Sequence, residues 1–208
     1  MELAFPRPPG TLSPTLRPVA GWRRAALRLV AMVAFLLWLV AGYVAIGYLS
    51  GNVATIVPGE AYRAGQLGPA QIAALHREMG IASVINLRGR HQGSSWYDAE
   101  RAAADRLGIA HYDFPMSARR ELSPSDAEAL IALMRTAPKP VLIHCEGGAD
   151  RTGLAAALYV AAIAGGTAAE AEWHLSPIFG HAAVPGSPTW AMDASWERME
   201  PILGIAGS

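Results

Sequence analysis

The chain has 208 residues, 52% of them hydrophobic, and a formal net charge of zero. That length suits one ordinary domain with an appendage, and the neutral balance offers no electrostatic reason to expect nucleic acid as a partner. The single cysteine, Cys145, excludes an intrachain disulfide and a cysteine-rich metal site.

Residues 1–21 carry five prolines and no apolar periodicity, and read as a flexible tail. From Leu29 to Leu49 no charged residue occurs, and about 20 apolar residues suffice to cross a hydrocarbon core of roughly 30 Å. Trp22, Trp38, Tyr43 and Tyr48 are amphipathic, and those nearest the ends suit the interfaces. A signal peptide is the rival reading, but its apolar core is shorter and its leading segment is not long and proline-rich. We therefore expect an anchor over 22–50, contacting the bilayer through residues 29–49. Arg7, Arg17, Arg23, Arg24 and Arg28 precede it, whereas no Lys or Arg follows until Arg63. The positive-inside rule then keeps the N-terminus cytoplasmic and places the remainder outside, in the periplasm of a bacterium and anchored in its inner membrane if Gram-negative.

Residues 53–208 are large enough for one core, and helix and strand signals alternate along them. Helical spacing over Pro69–Met79 stops at Gly80, and Ile81–Leu87 reads as a buried strand. Ser94 or Ser95 opens a helix through Leu107 that closes on Gly108, and Ile109–Phe114 is the next strand. Ser123 and Pro124 start a helix to about Thr136. Pro140–His144 is a third strand, and Arg151–Ile163 an alanine-rich helix. Beyond Gly165 the pattern weakens to short helices and a loop around Val184–Pro188. This alternation predicts an α/β fold with a central, mostly parallel sheet flanked by helices.

The chemistry concentrates in PVLIHCEGGADRTG, where Cys145 ends a buried strand and Arg151 opens a helix. Ligands of open α/β sheets bind at that edge. The loop Glu146, Gly147, Gly148, Ala149, Asp150, Arg151 can turn backbone N–H groups onto a phosphate, with a helix N-terminus and a guanidinium fork behind it. The same positive surroundings favour the thiolate of Cys145. A lone cysteine is otherwise more often a small buried hydrophobe.

His144-Cys145-x5-Arg151-Thr152-Gly153 resembles the signature of the cysteine-dependent protein tyrosine and dual-specificity phosphatases. AYRAGQL followed by GIASVINLRG is similar to the N-terminal half of a small bacterial and fungal branch, here with a membrane anchor. The resemblance implies the tyrosine phosphatase-like fold and hydrolysis of a phosphomonoester through a phosphocysteine on Cys145, without metal or cofactor. It implies that Arg151 holds the equatorial oxygens, Thr152 donates a hydrogen bond to the sulfur and His144 orients the loop. For the general acid two residues compete. Asp113 lies 32 residues before Cys145 (145 − 113), the family's usual separation, and Asp150 precedes the loop arginine as in a subset of members. Glu121 and Asp126 are weaker candidates. The acid-bearing segment reads FPMSARREL in place of the usual Trp-Pro-Asp pattern.

Arg63 and Arg88 can brace the loop or face the cleft, and Arg88, Arg119 and Arg120 are candidate substrate contacts. His76, His91, His111, His174 and His181 show no metal-ligand spacing. The expected substrate is a membrane lipid phosphate, of a glycolipid or phospholipid, or else phosphotyrosine or another phosphoprotein. A tethered phosphate-binding module without turnover and a rhodanese-like sulfurtransferase are the alternatives.

Overall fold

The computed structural model describes residues 20–205; the expected tail over 1–21 lies almost wholly outside them. Two compact units divide at Ala41 and Gly42. Helix α1 (Ala20–Leu49) begins two residues inside the expected tail. Its stretch Gly21–Gly47 is long and apolar enough to cross a membrane. Its apolar side chains from Leu27 to Val40 are exposed on all sides, a pattern no core-facing helix shows.

The second unit is built on a five-stranded sheet in the order β1-β2-β5-β3-β4. The strands are β1 (Ala54–Val57), β2 (Ala61–Ala64), β3 (Ser83–Asn86), β4 (Ala110–Asp113) and β5 (Val141–His144). β1 runs antiparallel to β2, and every other pairing is parallel. Register aligns Ala64, His144 and Asn86 across β2, β5 and β3. The loops leaving those three strands therefore emerge side by side, with that of β5 at the centre.

Successive residues of each strand face opposite sides of the sheet. Tyr62, Ala64, Val84 and Leu142 pack towards α2 (Pro69–Met79) and α3 (Ser95–Leu107). Ala61, Ile85, Val141 and Ile143 pack towards α4 (Pro124–Thr136), α5 (Asp150–Tyr159) and α7 (Trp190–Ile202), with the short α6 (Ala168–Glu172) beside α5. Ile85, Leu142 and Ile143 have at most 1% exposure, and burying each contributes roughly 2 kcal/mol.

The helix ends match their chemistry. α2 and α3 stop at Gly80 and Gly108, both left-handed. Ser123 Oγ accepts from the Asp126 N–H at the start of α4, with Pro124 in the first turn. Three features differ from the sequence reading. β1 and β2 form a short hairpin that four-residue strands and a polar arginine conceal. α5 gives way at Val160 to one π-helical turn closed by Gly165. α7 is a full 13-residue helix in the segment read as weakly patterned. It contains Pro201, and its apolar face is supplied by Met192, Trp196 and Met199 against the core.

Candidate active site

Cys145 follows β5 directly and is 3% exposed. It lies in a pocket of about 640 Å³ whose walls come from three neighbouring loops and Thr189. The β3–α3 loop contributes Arg88 and His91, and the β4–α4 loop Met116 to Arg119. The β5–α5 loop contributes Glu146 and Gly147, and the first turn of α5 Asp150 and Arg151.

The conformation of that last loop follows from where its carbonyls point. Glu146 O accepts from Gln66 N at 2.9 Å, and Gly147 O from Asn52 Nδ2 at 3.0 Å. Gly148 O accepts from Arg63 Nη2 at 2.7 Å and Ala149 O from the same atom at 3.4 Å. Each carbonyl is held on the outside of the turn. A trans peptide sets its N–H opposite its carbonyl, so the N–H groups of Gly147, Gly148, Ala149 and Asp150 turn inward. Such a ring of N–H groups ahead of a helix N-terminus is an anion cradle. Gly148 is required there: its φ is +71°, and a Cβ would lie 2.5 Å from Gly65 N.

Arg63 braces the loop from beneath and does not face the pocket. It has no exposure, stacks 3.9 Å over the Phe179 ring and donates to His174 Nδ1 and O at 3.1 and 2.8 Å. Burial pushes its guanidinium down to about 9, with the charge of Cys145 pulling the other way. It stays cationic at neutral pH. Burial, and then the charge of Arg63, hold His174 down at about 4, so that ring is a neutral acceptor.

A second network supports His144. Its Nε2 lies 3.1 Å from Glu100 Oε1, which also receives His111 Nε2 at 2.8 Å. Glu100 Oε2 accepts from Gln66 Nε2 at 2.6 Å. Burial opposes the Glu100 charge, but the hydrogen bonds from His111 and His144 outweigh it and lower the carboxyl to about 2. Gln66 Oε1 accepts from Arg88 Nη1 at 3.1 Å, and the Arg88 guanidinium lies 3.7 Å over the Trp96 ring. Arg88 thus reaches the pocket in a fixed pose, 4.0 Å from the exposed Glu146 carboxylate.

The structure separates the two competing aspartates. Asp150 opens α5, lines the pocket with Cys145, and receives His181 Nδ1 on Oδ1 at 2.7 Å. Asp113 ends β4 and is occupied elsewhere: Oδ1 accepts from Asn86 Nδ2 at 2.9 Å and Oδ2 from Tyr97 OH at 2.5 Å. It lines a different pocket, with Arg90 and Arg101, so its position in the sequence does not translate into reach. Glu121 pairs with Arg198, and Asp126 bonds Ser123 Oγ at 2.6 Å within the α4 cap.

Arg151 Nη1 donates to Met116 O at 3.3 Å, while its buried Nε has no partner among the described residues. Thr152 differs from expectation. Its hydroxyl carries a single proton, and the partner within reach is Ala64 O at 3.4 Å, not the sulfur. Arg119 lines the pocket, whereas Arg120 is exposed away from it. Sequence reasoning missed Asn52, Gln66, Glu100 and His181. Gln66 lay inside the resembling AYRAGQL segment; the others sit 31 to 95 residues from Gly147, His144 and Asp150, which they hold, and carry no local signal.

A buried thiol within a ring of N–H groups, beside an arginine at a helix start, defines a cysteine-dependent phosphatase. The sequence matches the model of the Swiss Army Knife protein DSP-PTPase phosphatase domain over residues 54–185, and the chain belongs to that family. Among solved structures it is similar to TpbA of P. aeruginosa, at 22% identity and a TM-score of 0.58, over 72% of this chain and 85% of that one. A TpbA variant in complex with pTyr aligns at 18% identity and TM-score 0.54, over 74% and 96%. The core catalytic domain of the PP-IP phosphatase SIW14 of S. cerevisiae, in complex with citrate, aligns at 16% identity and TM-score 0.55, over 74% and 93%. At these identities the likeness is one of fold. No curated protein matches the sequence.

Proposed function

We propose that Cys145 is the nucleophile of a phosphomonoester hydrolase, with Asp150 as general acid and base. The observation that carries this reading is the outward anchoring of four loop carbonyls, which turns the N–H groups inward around the Cys145 end of β5. The sulfur attacks phosphorus in line with the leaving oxygen, and the inward N–H groups and Arg151 bind the equatorial oxygens as charge spreads over them. Asp150 donates its proton to the departing oxygen. In the second step Asp150 takes a proton from water, whose oxygen displaces the sulfur from phosphorus. His144 and Arg63 keep the loop in shape, while Arg88 and Arg119 add positive charge at the rim. No step requires a metal.

Two observations bear on substrate. The pTyr bound by a TpbA variant supports a phosphotyrosine protein. The apolar Gly21–Gly47 helix supports a membrane lipid phosphate, with the arginines ahead of its uncharged stretch from Leu29 facing the cytoplasm and the catalytic domain outside. Hydrolysis of p-nitrophenyl phosphate by wild type and by Cys145→Ser tests the chemistry. Turnover that survives in Cys145→Ser refutes the nucleophile, and an inactive wild type refutes the enzyme. A panel of phosphopeptides and phospholipids then tests the substrate: rapid phosphopeptide cleavage with every lipid untouched would withdraw the lipid reading.

A further inference from the structure

His181 has no solvent exposure, yet it lies between two carboxylates. Its Nδ1 is 2.7 Å from Asp150 Oδ1, and its Nε2 is 3.1 Å from each oxygen of Asp193 on α7. The carboxyl oxygens that face the ring accept hydrogen bonds, and Asp150 Oδ1 does so whether or not Oδ2 carries a proton, so both ring nitrogens donate and the ring is an imidazolium. Burial opposes that charge, but the hydrogen bonds His181 donates to Asp150 and Asp193 outweigh it and raise the His181 pKa above the ordinary imidazole value. Asp150 is 27% exposed at its side chain, whereas Asp193, at 13%, does not line the pocket. The charged chain therefore leads from the pocket floor into the protein.

We propose that His181, oriented by Asp193, is a positioning residue for proton transfer at Asp150, holding Oδ1 and a positive charge against it while Oδ2 addresses the leaving group. This rests on Asp150 being the general acid, as read above. In the first step the S–P bond forms, the P–O bond breaks with its electron pair leaving on oxygen, and the Asp150 proton follows to that oxygen. The new carboxylate charge appears beside His181. In the second step a water oxygen bonds phosphorus, the S–P electrons return to sulfur, and the water proton restores Asp150. His181 keeps both protons throughout.

The need for such a charge follows from what else faces Asp150. Glu146 brings negative charge to the same pocket, and so do the thiolate that the attack requires and a phosphate dianion. Arg151, Arg88, Arg119 and the rim residue His91 face the same pocket, but their donors are directed to phosphate, to Met116 O, to Gln66, to Arg88 O or to solvent. Among the described residues, His181 is the side chain bonded directly to the Asp150 carboxyl group, and Asp150 and Asp193 are the charged groups that face His181.

The test uses the purified full chain, with phenyl phosphate and p-nitrophenyl phosphate compared across pH for wild type, His181→Gln, Asp193→Asn, Asp150→Asn and Cys145→Ser. Phenolate needs the proton on departure, whereas p-nitrophenolate leaves largely without it. We expect His181→Gln and Asp193→Asn each to lower kcat/KM at least roughly tenfold for phenyl phosphate and under about threefold for the nitrophenyl ester. The basic limb of the wild-type profile is the loss of the Asp150 proton. His181→Gln, which removes the neighbouring positive charge, should therefore move it up by about one pH unit, and Asp193→Asn should move it the same way by less. Equal losses on both esters with an unmoved limb mean a structural role alone and overturn the proposal, as does full activity in Asp193→Asn. If His181→Gln unfolds, the near-isosteric Asp193→Asn decides the matter. Wild-type turnover lost in Cys145→Ser, together with an Asp150→Asn enzyme as active as wild type on phenyl phosphate, would sink the relay and leave the phosphatase standing. An inactive wild type would remove both.

Discussion

Arg63 Nη2 donates a 2.7 Å hydrogen bond to the carbonyl oxygen of Gly148 from a position without solvent exposure. A full cation at the centre of a domain is costly to bury, and this one is spent on holding backbone oxygens outward. Its effect on a bound anion is therefore indirect: it shapes the N–H ring that meets the phosphate.

Arg63→Met keeps much of the side-chain volume but removes every donor. Two well-formed hydrogen bonds from a charged group are lost, to Gly148 O and His174 O, and those carbonyls stay buried. We expect a loss of roughly 2–4 kcal/mol in denaturant unfolding, together with at least a tenfold fall in kcat/KM. Unchanged stability would mean that water replaces the guanidinium at no cost.

Gly148→Ala tests the loop from the other side. The added methyl meets the Gly65 N and Ala64 C atoms at 2.5 and 2.7 Å, in a backbone conformation with φ +71°. Backbone on both sides leaves no flexible group to yield. The expected outcome is a destabilisation of about 2 kcal/mol and loss of inhibition by phosphate analogues, read by thermal unfolding and by competition with vanadate.

Asp150→Asn and Asp113→Asn separate reach from sequence spacing. Asp150→Asn should lower kcat for an aryl phosphate with a poor leaving group by roughly 100-fold. Asp113→Asn retains an oxygen for Asn86 or Tyr97 and should keep turnover within about threefold of wild type. The reverse ranking in a kinetic comparison would restore Asp113 as the acid.

Glu100 gives the fold a pH dependence of definite sign. Its carboxyl is lowered from 4.5 to about 2 in the folded protein, so the folded state favours the ionised form more than the unfolded chain does. The stabilisation is fully present above about pH 4.5 and is lost as pH falls towards 2, with a size on the order of 3 kcal/mol. Glu100→Gln should be less stable at pH 7 and should lack that slope between pH 4.5 and 2. Thermal unfolding of both proteins across that range is the measurement.

Local rules and one motif were enough for much of this protein. The α2 boundaries, the glycine stops of α2 and α3 and the Ser123 cap of α4 were legible because capping and periodicity are short-range. The first hairpin and α7 were not. Their strands are too short, or their apolar positions too dependent on a partner surface, to show a pattern in the chain.

The candidate site divides along the same line. Cys145, the loop glycines and Arg151 lie within seven residues, so the order of residues already places thiol, turn and guanidinium together. Which aspartate joins them could not be read in that way. Asp113 has the expected separation, but the strand ends that carry it put Asn86 and Tyr97 against its carboxylate. Asp150 is brought to the pocket by the first turn of α5, and its partner His181 arrives from 31 residues away. The same holds for Arg63 beneath Gly148 and for Glu100 beneath His144. A phosphate loop is a contiguous device, written in consecutive residues. The hydrogen bonds that hold its carbonyls outward and its acid in place join segments that only the folded sheet and its helices bring within 3 Å of each other.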